Sequence, residues 1–196
     1  LYQLAGNYVI GWDTNPARVA NAERWGIDSI VEDESGPEAT KKFIHKDGLD
    51  AAVLAMAGAC DKTVERLMQC MKHAPDGHGM GRIMIVGWPD FRYGQGQIGA
   101  MNNIDIRRCS RTGAGYHDPE WEYGIDYPAV FMRWTTKTNL KLCMQLISEG
   151  KVNVDALTTH QIKLADVEKE IDIALADPDC MIGVIFNRDR TSSAED

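Results

Sequence analysis

The stretch YVIGWDTNPAR, residues 8–18, decides how the chain begins to fold. Its first part is a compact apolar run that stops at Asp13 and has the length of a β-strand. Pro16 follows three residues later. Proline suits the first turn of a helix, because the N–H that it lacks would have no partner there. The stretch therefore predicts a strand, a short polar turn and a helix that runs to about residue 25.

The same alternation repeats along the first half of the chain. Further strands are predicted at residues 29–31, 51–56 and 82–87, with helices at residues 36–46 and 61–71 between them. The apolar run 51–56 indicates a strand that is covered on both faces. This rhythm predicts an α/β fold, a doubly wound parallel sheet, in which ligands bind beyond the carboxyl ends of the strands.

The second half is less regular. Residues 103–109 predict an edge strand, and residues 112–128 predict a long loop without periodicity. A helix at residues 138–148 is followed by a strand, a helix and a last strand that ends at residue 186. Residues 1–6 have the composition of a last helical turn that ends at a glycine, so we expect the chain to begin within a fold.

Composition and charge narrow the class of protein. The net charge is −8 and the isoelectric point is about 5.1, which disfavours binding to nucleic acid or to an anionic membrane surface. No apolar run approaches the roughly 18 residues that a membrane span needs. Five dispersed cysteines without a CxxC pair indicate reduced thiols in the cytoplasm and no structural zinc site within this chain.

Asp13 allows two interpretations. At the end of the second strand of a dinucleotide-binding fold, a carboxylate accepts hydrogen bonds from both hydroxyls of the adenine ribose and repels a 2′-phosphate. The same carboxylate could instead cap the helix that begins near Pro16. The local sequence leaves both interpretations open.

Three stretches together resemble the medium-chain, zinc-type alcohol dehydrogenase family. The first is residues 8–18, followed by Ala22 and by WGID at residues 25–28. The second, residues 48–58, resembles the fourth strand of the family's cofactor domain and the small-residue turn after it. The third, residues 83–89, resembles the fifth strand and its turn. The resemblance implies that the chain is the C-terminal, dinucleotide-binding half of such an enzyme.

The resemblance also implies a cofactor site. It assigns the ribose contacts to Asp13 and Arg18, and it favours NAD over NADP. Glycines at the two later turns would let the backbone approach the cofactor closely. The full set of implied cofactor-binding residues is Asp13, Thr14, Arg18, Ala57, Gly58, Val86, Gly87, Trp88, Cys109, Ser110 and Arg111.

Within the family, the chain is most similar to a subgroup linked to sugar metabolism, some of whose members are fused to a second oxidoreductase domain. The residues that carry this similarity are Ser110, Arg111, Tyr116, His117, Asp118, Pro119, Glu122, Gly124, Asp126, Tyr127, Pro128, Arg133, Trp134, Thr135, Gly150, Lys151, Val152, Val154, Leu157, Thr159 and His160. We therefore expect one dinucleotide-binding domain, residues 1–186, whose last segment returns to a catalytic domain. A polar tail, residues 187–196, follows it.

Several expected parts of the family pattern are not found in the sequence. The first strand, the glycine-rich phosphate turn and the catalytic domain would precede residue 1. Any zinc ion that acts as a Lewis acid would belong to that preceding domain. Met181 stands where the family often has an arginine that contacts the pyrophosphate. We therefore expect the isolated chain to bind cofactor weakly at best.

The loop at residues 112–128 is the predicted substrate-binding region. Its aromatic, histidine and carboxylate side chains suit a polyhydroxylated small molecule, and the candidates are Tyr116, His117, Asp118 and Trp121. The alternative is that these side chains order the loop itself or pack against another domain or subunit.

Two functions remain open from the sequence. The first is the NAD(P)-binding part of an oxidoreductase that transfers hydride between the cofactor and an alcohol or carbonyl, possibly a sugar or polyol. The second is a nucleotide-binding or subunit-association module without redox chemistry. The edge strand at residues 104–109 would support a homo-oligomer by pairing across a twofold axis.

Overall fold

The structure, a computed structural model, describes residues 1–92, 103–109, 113–115, 117–176 and 181–188. Its strands are β1 (Ile10–Asp13), β2 (Asp28–Val31), β3 (Ala51–Ala59), β4 (Met80–Asp90), β5 (Asn103–Arg108), β6 (Thr158–Lys163) and β7 (Gly183–Asn187). Its α-helices are α1 (Pro16–Arg24), α2 (Gly36–Thr40), α3 (Asp61–Met68), α4 (Pro119–Glu122), α5 (Thr136–Ser148) and α6 (Val167–Leu175). Short 3₁₀ turns lie at Asp155–Leu157 and Leu164–Asp166.

All strand pairing between these elements is parallel. β1 pairs with β2, β3 with β4, β4 with β5, and β6 with β7. The predicted α/β class with parallel strands is therefore confirmed. The strands form three separate ladders, however, and no ladder among the described residues joins β1 to β3.

The core lies between α3 and one face of the β3–β4–β5 sheet. Val64 of α3 is fully buried, and Leu54 and Ile83 contribute to the core from the sheet. The opposite face is open, with Val53 and Val86 exposed. The prediction that both faces of the strand at residues 51–56 are covered is therefore wrong. An uninterrupted apolar run indicates that both faces can be buried, and here the described chain supplies a helix to one face only.

Several predicted boundaries also shift. The helix predicted at residues 36–46 ends at Thr40, a buried residue whose hydroxyl donates to the Gly36 carbonyl at 2.8 Å and accepts the Trp12 indole N–H at 2.9 Å. Residues 1–6 form hydrogen-bonded turns that end at Gly6, where φ is +86°, and not the end of a helix. Asn187 belongs to β7 and not to the polar tail, while residues 189–196 lie outside the described residues.

A buried ion pair joins the end of β2 to α3. Glu32 follows β2, and its carboxylate accepts a hydrogen bond of 2.6 Å from Arg66 of α3. The Glu32 side chain is 8% exposed and that of Arg66 is 17% exposed. The pair therefore helps to hold the β1–β2 unit against the helix that covers β3. No helix in the described part of the chain is long and apolar enough to cross a membrane.

Candidate functional site

A cavity of about 1300 Å³ lies between β1 and β3. Four of the predicted cofactor-binding residues line it, and they are Asp13, Thr14, Arg18 and Ala57. The Asp13 carboxylate is one-third exposed, and its Oδ2 lies 3.9 Å from Nη1 of Arg18. The acidic Asp13 and the basic Arg18 therefore border the same cavity as Ala57, which lies near the end of β3 in the neighbouring ladder.

The structure does not show Asp13 in the helix-capping role. The N-cap of α1 is Asn15, whose side-chain oxygen accepts from the Ala17 N–H at 2.8 Å. Asp13 Oδ1 accepts from the Asn15 N–H at 2.8 Å, so it supports the turn before the helix rather than the helix end. A carboxylate offers about four acceptor positions. Asp13 therefore keeps capacity for a further hydrogen-bonded partner on the cavity side.

Two glycines at the carboxyl ends of β3 and β4 have positive φ angles. The value is +86° at Gly58 and +93° at Gly87, a conformation that other residues rarely adopt. A Cβ atom at Gly58 would meet no atom within 4 Å, so open space borders the backbone there. At Gly87 a Cβ atom would lie 2.7 Å from the Met56 carbonyl oxygen. Gly58 therefore leaves room for a ligand, whereas Gly87 is required by close strand packing.

The sequence predicts turns at residues 57–58 and 87–88, and this prediction is wrong, because β3 and β4 continue through both positions. The ladder continues through Gly58 opposite Pro89 and ends with Ala59 opposite Asp90. The register stays unbroken past both glycines despite their positive φ angles. The candidate residues at the two strand ends therefore lie side by side, with Ala57 opposite Trp88.

An exposed tryptophan stacks on an arginine beside these strand ends. Trp88 is 72% exposed, and the Arg108 guanidinium carbon lies 4.0 Å from its ring centroid. Such a cation–π contact holds the indole in place while one face stays available. Sequence reasoning did not include Arg108, although an arginine at the end of the next parallel strand is a usable signal. Val86 and Cys109 are also exposed at this end of the sheet.

Only some of the predicted cofactor-binding residues line the cavity, and others lie at the ends of β3, β4 and β5. Gly58, Val86, Gly87, Trp88 and Cys109 are not among the residues that line the cavity beside Asp13. Ser110, Arg111 and Tyr116 lie outside the described residues.

The described loop candidates contact residues of their own loop. Asp118 caps α4 and accepts hydrogen bonds from the Trp121 N–H at 3.4 Å and from the Tyr127 hydroxyl. The Trp121 ring packs against Gly115, where a Cβ atom would lie 2.5 Å from the indole. The backbone N–H of His117 donates to Glu122 at 3.2 Å, and His117 has a φ of +64°. These contacts favour the alternative that the side chains order the loop, which contains α4.

We expect Tyr127→Phe to raise the pKa of the Asp118 carboxyl. The hydrogen bond from Tyr127 is the main cause of its lowered pKa, with a smaller effect from the Trp121 backbone N–H. The pKa of Asp118 is lowered in the folded state, so the ionised carboxylate stabilises the loop at pH values above 3.8, its ordinary pKa. This stabilisation is lost as the pH falls through the folded-state pKa. Carboxyl-carbon NMR titration measures the change.

Tyr123→Phe is the matched control for this prediction, since Tyr123 is 91% exposed. We expect it to leave the Asp118 pKa unchanged. An equal pKa in the wild type and in Tyr127→Phe would show that the Tyr127 hydroxyl does not stabilise the carboxylate.

No group of three or more His, Cys, Asp or Glu side chains within the described ranges is arranged to hold a metal ion. Isolated pairs do occur. His45 contacts Asp47 at 2.8 Å and His78 contacts Asp76 at 2.9 Å, and each pair lies on the surface.

Comparison with solved structures defines the class of the fold. A protein described as a short chain alcohol dehydrogenase of Escherichia coli CFT073, solved in complex with the cofactor NADH, matches 92% of this chain with a TM-score of 0.58 and 16% sequence identity. The 2R,3R-butanediol dehydrogenase of Bacillus subtilis matches 91% of it with a TM-score of 0.54 and 17% identity. The chain covers 44% and 43% of these two structures. The fold is that of the Rossmann-type dehydrogenases and reductases.

Sequence comparison finds a distant relative among the alcohol dehydrogenases. Alcohol dehydrogenase 1 of Zea luxurians is 21% identical over 175 residues, or 87% of this chain. No family model matches the sequence. The predicted resemblance to the C-terminal half of the medium-chain dehydrogenases is confirmed by this relative together with the fold. The chain spans about half the length of the relative, 51%.

Proposed function

We propose that this chain is the nicotinamide-cofactor-binding part of an oxidoreductase, and that Asp13 binds the adenine ribose of NAD. The observation that carries the proposal is the position of Asp13 at the end of a parallel strand, with a carboxylate that borders a large cavity. The Arg18 guanidinium beside it would hold the carboxylate in place and contact the ribose or its phosphate. NAD is favoured over NADP because a carboxylate here repels a 2′-phosphate.

The strand ends fit the rest of such a cofactor. Gly58 presents backbone beside open space, and the Trp88 ring offers a flat apolar face. The bound cofactor would supply hydride transfer. The residues described here would orient it along the ends of β3 and β4.

For the parent enzyme we propose an alcohol or carbonyl substrate, with a sugar or polyol as the narrower class. The alcohol dehydrogenase relative and the butanediol dehydrogenase structure support the broader class. Tyr116, His117, Asp118 and Trp121 stay candidates for substrate contacts, although three of them contact their own loop. Zinc would belong to a catalytic domain outside this chain. A cytoplasmic enzyme is consistent with the free thiols of the four described cysteines.

We also propose self-association through β5. This strand pairs only with β4 among the described elements, so its outer edge can pair with another copy. The same observation favours the second candidate, a subunit-association module without redox chemistry. Sedimentation velocity would detect the oligomer, and NADH binding separates the two candidates.

The cofactor proposal predicts the effect of Asp13→Asn. We expect NADH to bind about tenfold more weakly, equivalent to about 1.4 kcal/mol, while the preference for NADH over NADPH declines. The asparagine keeps an oxygen for the Asn15 N–H, so the turn should persist. Saturation-transfer NMR on the 196-residue chain measures both affinities, since we expect them to be weak.

Asp76→Asn is the matched control. It removes the same charge from an exposed aspartate that is not among the residues that line the cavity. We expect it to leave both affinities unchanged. Equal NADH affinity in the wild type and in Asp13→Asn would remove Asp13 from the cofactor site.

A further inference from the structure

The contact between Trp88 and Arg108 forms a second surface at the carboxyl ends of the strands, next to the cavity that Asp13 borders. Trp88 lies opposite Ala57, which lines the cavity, and Arg108 lies on the next strand, opposite Ile85. Neither Trp88 nor Arg108 lines the cavity itself. In parallel α/β folds ligands bind at this edge of the sheet, so the chemistry of the pair bears on what binds there.

Both side chains project from backbone that the sheet holds in place. Trp88 lies within the continuous β3–β4 ladder, and just past Arg108 the Cys109 N–H donates to the Ile85 carbonyl at 2.8 Å. The Arg108 guanidinium carbon lies 4.0 Å from the centroid of the Trp88 ring, so each side chain restricts the other. A ligand would therefore bind to groups that are already ordered, which reduces the entropy cost of binding.

Arg108 differs from nearby arginines in that no carboxylate pairs with it. On the same strand Arg107 pairs with Asp105 at 4.0 Å, and beyond the end of β4 Arg92 pairs with Asp61 at 3.0 Å. The Arg108 guanidinium forms no ion pair or hydrogen bond with the residues that the structure describes. Stacking on Trp88 uses the face of the guanidinium, whereas its N–H donors lie in its plane. These donors can therefore bind an anion from solution.

The two groups define the chemistry of a matching ligand. A planar guanidinium binds a carboxylate or a phosphate through two parallel N–H···O bonds. Trp88 is 72% exposed, so most of its flat apolar ring stays accessible around the guanidinium. Such a ring suits the C–H groups of a small carbon skeleton. A ligand that carries both an anionic group and such a skeleton would use both residues, whereas an inorganic anion would use Arg108 alone.

We propose that Arg108 and Trp88 bind a small molecule that carries a carboxylate or a phosphate, with the anionic group on Arg108 and the carbon skeleton against Trp88. That this molecule is the substrate of the parent enzyme rests on the proposed function, because the cofactor is proposed to lie along the neighbouring ends of β3 and β4. The substrate class then narrows to an anionic alcohol or carbonyl compound, such as a sugar acid or a sugar phosphate. Binding of the anion itself does not depend on the cofactor proposal.

The test is an NMR titration of the isotopically labelled 196-residue chain with glucuronate, glucose 6-phosphate and glucose, at constant ionic strength and without cofactor. The signals to follow are the indole N–H of Trp88 and the Nε–H of Arg108. We expect at least one of the two anionic sugars to shift both signals to saturation, while neutral glucose shifts neither. A response to glucuronate alone assigns the site to a carboxylate, and a response to glucose 6-phosphate alone assigns it to a phosphate.

Two arginine variants separate a specific site from general attraction. Arg108→Gln should weaken binding of the anionic sugar about tenfold, as measured on the Trp88 signal, because it removes the charge and the paired donors. Arg107→Gln is the matched control, since it removes the same charge from the adjacent residue, whose guanidinium pairs with Asp105. We expect it to leave the affinity unchanged.

The proposal is overturned if neither anionic sugar shifts the Trp88 and Arg108 signals, or if glucose shifts them as strongly as the anions do. It is also overturned if Arg107→Gln and Arg108→Gln weaken binding equally, because the effect would then be general attraction to positive charge. Failure of the cofactor proposal would be seen separately, as a lack of NADH binding beside Asp13 in a titration without sugar.

Discussion

Arg66→Met is expected to lower the free energy of unfolding by about 3 kcal/mol, because it leaves the Glu32 carboxylate buried without its partner. Glu32 is 8% exposed and accepts a hydrogen bond of 2.6 Å from Arg66. Methionine keeps much of the apolar stem of arginine, so the loss would come mainly from the charge. Urea unfolding, followed by circular dichroism, gives the free energy.

Two further variants separate the ion pair from general effects. Arg92→Met removes an arginine that is 70% exposed and pairs with Asp61 at 3.0 Å, and it should cost at most about 1 kcal/mol. Glu32→Gln combined with Arg66→Met removes both charges and should be more stable than Arg66→Met alone. If Arg66→Met and Arg92→Met cost the same, Glu32 would not depend on its pairing for burial.

Ile83→Ala is the second variant with a large expected effect. Ile83 is 1% exposed and lies on the face of β4 that packs against α3. Removing its side chain should cost about 2–5 kcal/mol, because a cavity would remain between the helix and the sheet. The same unfolding experiment measures the loss.

Val86→Ala is the matched control in the same strand. Val86 is 43% exposed on the opposite face, so we expect a loss of no more than about 1 kcal/mol. Equal losses at Ile83 and Val86 would contradict the conclusion that only one face of the sheet is covered.

The sequence predicted the elements well where a local signal existed. Pro16 marks the start of α1, and the apolar runs mark β3 and β4 within a few residues. The prediction failed where tertiary contacts decide the end of a helix or a strand. The end of α2 depends on Thr40, which bonds to Trp12 from a distant part of the chain. The continuation of β3 and β4 past Gly58 and Gly87 depends on pairing between the strands, which neither segment shows alone.

The candidate site was predictable in part. Asp13 and Ala57 were chosen because each follows an apolar strand, where ligands bind in parallel α/β folds. Both line one cavity, although their strands belong to separate ladders. The position of Arg108 at the end of a predicted strand was a usable signal, but its contact with Trp88 depends on tertiary packing that the sequence does not reveal. The loop residues were chosen for their chemistry, but Asp118 and Trp121 are engaged in local contacts that only coordinates show.

The most direct test of the cofactor proposal is an amide NMR titration of the 196-residue chain with NADH. We predict that the largest shifts fall on Asp13, Thr14 and Arg18, with further shifts at Ala57 and Gly58. Shifts confined to the loop around His117 and Asp118, or no shifts at the residues beside Asp13, would contradict the assignment of the ribose site to this strand end.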